Sequence, residues 1–154
     1  KNAIFIYMNH IFFFLFLFWL SFIVAKLEIE IEGEFGWAEK LPTWRLSREH
    51  WISKVFFGGR PATGYHVWVN LLILSFVHII FVFTYFSWAI EIKIISFFIL
   101  FWVLEDFLWF VLNPKFSIRN FKRDKIWWHA HHWWFIAPAE YFIFVPIGII
   151  LYLI

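Results

Sequence analysis

The residues able to do chemistry are gathered in a few places along the chain. The string Trp127-Trp128-His129-Ala130-His131-His132-Trp133-Trp134 offers three imidazoles within four positions, and neutral imidazole is the commonest side-chain metal ligand. On a helix His129 and His132 share a face, whereas on an extended segment His129 and His131 do. In both cases a further ligand has to come from another element. The same string also reads as an aromatic belt with interfacial histidines, because tryptophan joins an apolar ring to a polar N–H and collects at bilayer surfaces.

Two acids, Glu105 and Asp106, lie inside an apolar run. An ionised carboxylate left unpaired in hydrocarbon is unfavourable by several kcal/mol, so a cation, a metal, a proton or a water-filled cavity is expected beside each. They stand about 100° apart around a helix, so one is expected to act as ligand and the other as its support. His66 and Asn70 share a face of the preceding run, with His78 about 18 Å further along. His66 is placed to reach the histidine string and His78 to reach Glu105, while Glu140 opens the last run. The predicted site therefore has Glu105 and Asp106 as catalytic groups, and His129, His131, His132 and Glu105 as metal ligands, with His66 and Glu140 as further ligands. Iron, zinc or manganese suits an imidazole and carboxylate set without sulfur. Such an ion would activate water or oxygen, or polarise a substrate oxygen. The bland alternatives are hydrogen bonds between helices for His78 and Asn70, and a favourable helix N-terminus for Glu140.

The elements that must position these groups follow from composition. The chain has 154 residues, is 63% hydrophobic and 27% aromatic, and contains no cysteine. That apolar share is too large for one small core, whereas lipid covers it readily. Apolar runs over residues 3–25, 67–90, 94–112 and 139–154 predict an all-α integral membrane protein, a bundle of four transmembrane helices forming one domain over 1–154. The first run also competes with a cleaved signal peptide, but it is long for one, and Ile23 stands where a small residue is wanted before Ala25. The fourth is the shortest, about 24 Å as a helix, and contains Pro146 and Gly148.

Basic residues set the expected orientation. Lys26, Lys40, Arg45, Arg48, Lys54 and Arg60 fall in the first connection and Lys115, Arg119, Lys122, Arg123 and Lys125 in the third, against Lys93 in the second. Both long connections are thus predicted to be cytoplasmic, with the termini on the opposite side. The net charge of +2 is small and forms no stripe, so nucleic acid is not an expected partner. The Arg119–Lys125 segment suits anionic headgroups.

Within the first connection, the alternation from Leu27 to Phe35 predicts a strand with Glu28, Glu30, Glu32 and Glu34 along a solvated face. If the first helix instead continues, Glu28 and Glu32 pair across one turn. No ligands are expected there. Thr43 can cap an amphipathic interfacial helix over 44–57, carrying His50 as a surface residue, and the Gly58-to-Gly64 stretch ends it. That glycine stretch has no lysine followed by Ser/Thr, which excludes a phosphate-cradling loop.

Together these features predict a membrane-embedded metal-dependent enzyme acting on a lipid or another hydrophobic substrate at the cytoplasmic interface. Two other readings stay open. One is a small transporter or proton conductor using Glu105, Asp106 and His78. The other is a non-catalytic subunit of a larger membrane complex. The expected partners are membrane lipids, with a homo-oligomer or partner membrane subunits as further possibilities.

Overall fold

The computed structural model describes the backbone of residues 2–130 and 132–154, with side chains from Asn9 onward; Lys1 and His131 lie outside the described residues. The chain is mostly helical: α1 (Asn2–Glu32), α2 (Trp51–Phe56), α3 (Gly64–Val77), α4 (Ile80–Phe83), α5 (Trp88–Leu112) and α6 (Ala139–Leu153), with a minimal hairpin of β1 (Trp133–Trp134) and β2 (Ala137–Pro138). Three described helical segments are long and apolar enough to cross a membrane, namely Asn9–Glu32, Gly64–Phe83 and Trp88–Leu112, while Ala139–Leu153 is shorter. Their outer faces carry exposed aromatic and aliphatic side chains such as Phe12, Trp19, Trp68, Leu72 and Phe83.

The expected strand after residue 27 is instead the last part of α1. A helix already formed propagates cheaply, and continuing it turns Glu28 and Glu32 inward beside buried Ile29 while Leu27, Glu30 and Ile31 face out. Gly33 ends it at φ +67°, its N–H bonded to the Ile29 carbonyl at 2.9 Å. The interfacial helix expected over 44–57 is confined to α2. Its first half is drawn into an antiparallel pairing of Arg45 with Thr63, with Leu46 N–H on the Ala62 carbonyl at 2.8 Å and Gly64 N–H on the Trp44 carbonyl at 3.0 Å. His50, not Thr43, caps the helix that remains. On the exposed face nearby, Lys54 lies 2.7 Å from Glu49 and holds its carboxyl below the usual carboxylate range.

The second apolar segment starts earlier than expected, because Thr63 Oγ1 accepts the His66 N–H and caps α3. It breaks at His78, whose Nδ1–H donates to the Leu74 carbonyl at 2.7 Å while Nε2 lies 3.3 Å from Glu91 Oε1. Glu91, Ile92 and Lys93, expected as the link to the next span, instead form the start of α5. Acid there complements the helix N-terminus, and residues 84–87 make the connection.

α5 packs against both α1 and α6. One core layer joins Leu17, Val24, Ile73, Phe97, Leu100 and Phe101, and a second joins Ala25, Ile29, Leu108, Trp109, Phe110, Ile126 and Trp128. Small residues set the helix spacing: Ser21 Oγ donates to the Phe101 carbonyl at 3.3 Å and Ser96 Oγ to the Gly148 carbonyl at 2.7 Å. A Cβ added at Gly148 would stand 2.6 Å from Leu100 Cγ. Gly148→Ala therefore pushes α6 away from α5 and is expected to cost roughly 1–2 kcal/mol. Thermal unfolding in detergent measures this, and an unchanged midpoint would mean that α6 has room to slide.

Candidate functional site

The second core layer ends in a cavity of about 300 Å³ where six segments meet. Glu28 and Glu32 reach it from the end of α1, His66 and Asn70 from the start of α3, and Glu105 and Asp106 from α5. Trp128 and His129 come from the turn before the hairpin, and Glu140 and Tyr141 from the start of α6. Arg60 and Trp37 close it from the first connection.

Local structure explains each placement. The turn carrying His129 is anchored by buried Ile126 and Trp128, with His129 N–H on the Ile126 carbonyl at 3.1 Å. His129 is thereby sunk to 2% exposure, with Nε2 at 3.2 Å from Asp106 Oδ1. Tyr141 O–H donates to the other Asp106 oxygen at 2.5 Å. Asp106 thus orients His129, as carboxylates commonly orient metal-ligating histidines. On the opposite wall, His66 Nδ1 lies 2.7 Å from Thr63 Oγ1 and Nε2 lies 3.8 Å from Glu32 Oε1. Trp37 stacks on the His66 ring at 4.2 Å, and its own ring carries the Arg60 guanidinium at 4.6 Å.

The loop after α1 holds this wall shut. Gly36, Trp37 and Ala38 all adopt positive φ, and Ala38 N–H donates to Glu32 Oε1 at 2.5 Å. Arg45 in turn donates to the Ala38 carbonyl. At the junction of α1 and α5, Asn113 Nδ2 donates to the Gly33 carbonyl at 2.7 Å, so the C-terminal ends of the two helices are tied together.

Several polar atoms in the cavity wall have no hydrogen-bond partner: Glu28 Oε1, Glu105 Oε1, Glu140 Oε2 and His129 Nδ1. The Tyr65 hydroxyl lies beside Glu28. Arg60 approaches Glu140 at 3.8 Å. Buried polar groups are ordinarily satisfied, so these four atoms set the cavity wall apart from the rest of the core.

Of the residues singled out in the sequence, Glu105, Asp106, His66, His129 and Glu140 line this one cavity. His132 is exposed and does not line it, and His131 lies outside the described residues. His78 turns to Glu91 rather than to Glu105, and His66 turns to Thr63 and Glu32 rather than to the histidine string. The sequence reading missed Glu28, Glu32, Arg60 and Tyr141. The four-residue spacing of Glu28 and Glu32, on a continued helix, was the signal for the first two. Among the described residues, no group of three or more His, Asp or Glu side chains is placed so that it could hold a metal ion.

No family model, curated protein or solved structure matches the chain.

Proposed function

We propose that the protein is a metal-dependent enzyme embedded in the membrane as a four-helix bundle, acting on a lipid or another hydrophobic substrate at the cytoplasmic interface. The observation that carries this reading is the cavity in which buried histidine and carboxylate donors meet with unsatisfied atoms turned toward one another. In this reading α6, about 22 Å long, is the fourth span and stands near the bilayer normal beside α5. All the site's helix ends adjoin the two connections rich in Lys and Arg, which supports a cytoplasmic position.

His129, Glu140 and Glu105 would hold the ion, His66 would extend the ligand set, and Asp106 keeps His129 in one orientation. A bound divalent metal supplies a Lewis acid that polarises a substrate oxygen or activates a water. Imidazole and carboxylate without sulfur suit iron, zinc or manganese. A hydrophobic substrate is supported by a second cavity of about 280 Å³, walled by Leu17, Leu100, Leu104, Val145 and other apolar side chains, which shares Val103 and Tyr141 with the first. An apolar chain lying there directs its head toward Asp106 and Tyr141.

Metal analysis of the full chain in detergent, after incubation with Mn(II), Fe(II) or Zn(II), tests the reading. At least one equivalent is expected to remain bound. His129→Ala is expected to weaken binding by about 10–100-fold, while His132→Ala leaves it unchanged. Less than about a tenth of an equivalent of every metal, or wild-type affinity in His129→Ala, would sink the proposal.

A further inference from the structure

Resting on that reading for a lipid as substrate, we infer which lipid: one that enters sideways between α1 and α6, lays one alkyl chain in the apolar groove against a stop at Tyr152, and puts an uncharged, hydroxyl-bearing head in the polar cavity. Three helices build the groove. α1 and α6 each pack along α5, and the second cavity lies between them, walled by Phe14 and Leu17, by Leu100 and Leu104, and by Val145 and Ile149. Its rims are open, with Phe14 41% and Val145 39% exposed. In a bilayer those rims face acyl chains, so a lipid tail reaches the groove without crossing water.

Both ends of the groove are defined. Toward the polar cavity it continues past Val103 and Tyr141, which line both spaces. At the other end Tyr152 of α6 closes against α1. Its ring lies 4.3 Å from that of Phe13 and 5.1 Å from that of Phe14, its hydroxyl is hydrogen-bonded to His10, and Lys93 of α5 donates to its carbonyl at 2.9 Å. Tyr141 and Ile149, at the two ends of the α6 wall, stand about 12 Å apart along the helix axis. A tail moving from bilayer to groove exchanges one hydrocarbon surrounding for another and gains little by the transfer. Chain length is therefore selected by fit against Tyr152, and affinity comes from the head.

The head follows from the atoms left unpaired. Glu28 Oε1, Glu105 Oε1 and Glu140 Oε2 have no donor, whereas the indole N–H groups of Trp102 and Trp109, which line the same cavity, have no acceptor. A hydroxyl both donates and accepts, so it serves both kinds of atom, and it does so whether the carboxyls are ionised or protonated. An ammonium has no acceptor to offer the indoles. A phosphate is repelled by carboxylates and gains no ion pair from neutral carboxyls. Arg60, the one Lys or Arg among the described lining residues, is already stacked on Trp37 at 4.6 Å and lies 3.8 Å from Glu140.

The full chain in phosphatidylcholine nanodiscs, with chelator present, tests this with a monoacylglycerol that carries a diazirine at its chain end, its adducts mapped by peptide mass spectrometry after irradiation. Wild type is expected to be labelled around Leu100 and Ile149. Excess unmodified monoacylglycerol should remove that label, whereas the lysophosphatidic acid and the alkylamine of equal chain length should not. Val145→Trp, which fills the groove, is expected to lose the label, and Leu72→Trp, on the exposed face of α3, to keep it. Tyr152→Ala should shift the best competitor toward longer chains, and an unmoved optimum would remove Tyr152 as the stop. Label spread over the outer helix faces, indifferent to competitor and to Val145→Trp, would overturn the site. Equal competition by the phosphate or the amine would overturn the assigned head. Labelling needs no ion, so a protein that labels as expected but binds no metal keeps this site and loses the metal-dependent reading. One that loads metal but is not labelled in the groove does the reverse.

Discussion

Gly36→Ala is expected to lower the stability of the protein by about 2–4 kcal/mol. Gly36 sits at φ +62°, where an L side chain is strained. The space is also taken: an added Cβ would lie 2.5 Å from the end of the Trp128 ring and 3.2 Å from that of Trp109. Those indoles cross nearly at right angles with centroids 6.0 Å apart, packed in the core layer beneath the cavity. They cannot retreat without disturbing the turn that buries His129. Gly33→Ala is the internal control, because Gly33 has the same backbone sign at φ +67° but nothing within 4 Å of an added Cβ. It is expected to cost only about 1 kcal/mol. Denaturation of both variants in the same detergent separates backbone strain from steric clash, and equal losses would show that Trp128 yields freely.

The same region shows what the amino-acid sequence could and could not convey. Long apolar runs declare themselves because every buried helix face and every lipid-facing one must be apolar, so α1, α3–α4 and α5 were read close to their positions. Glu105 and Asp106 stood out for the same reason in reverse, as acids where hydrocarbon is expected. Helix ends are set by bonds between residues far apart in sequence, and these were not visible. Thr43, read as a cap, instead accepts the Tyr65 N–H at 3.0 Å and supports the start of α3. Thr63, not singled out, is the cap. The alternation from Leu27 to Phe35 is compatible with a strand, and only the packing of α1 along α5 selects the helix. That choice converts Glu28 and Glu32 from a solvated face into cavity walls. Of the histidine string, His131 lies outside the described residues, and the burial of Ile126 and Trp128 decides that His129 points in while His132 is exposed.

Glu105→Met is expected to raise the stability of the metal-free protein by about 1–3 kcal/mol while removing its stabilisation by metal. Glu105 is buried in α5 where it lines the cavity, with Oε1 unsatisfied. Without a cation, the fold carries the desolvation of that carboxyl and its repulsion by Glu28, Glu32 and Asp106 with little return. An unbranched apolar side chain of similar length removes both penalties, as replacements of buried ionic groups often do. With Mn(II) present the order should invert. Wild type gains stability by mass action as the ion binds the folded state alone, whereas the methionine variant lacks the carboxylate and gains little. Thermal unfolding of both proteins with chelator and with Mn(II) gives the four midpoints needed. A methionine variant that is less stable than wild type in chelator would mean that Glu105 already has a structural partner in the cavity, and the case for an ion there would lose its main support. An upward shift with Mn(II) equal to that of wild type would mean that the ion binds elsewhere. The crossing of the two stabilities is therefore the sharper test: a carboxylate kept only for packing cannot produce it, whereas one kept for a cation must.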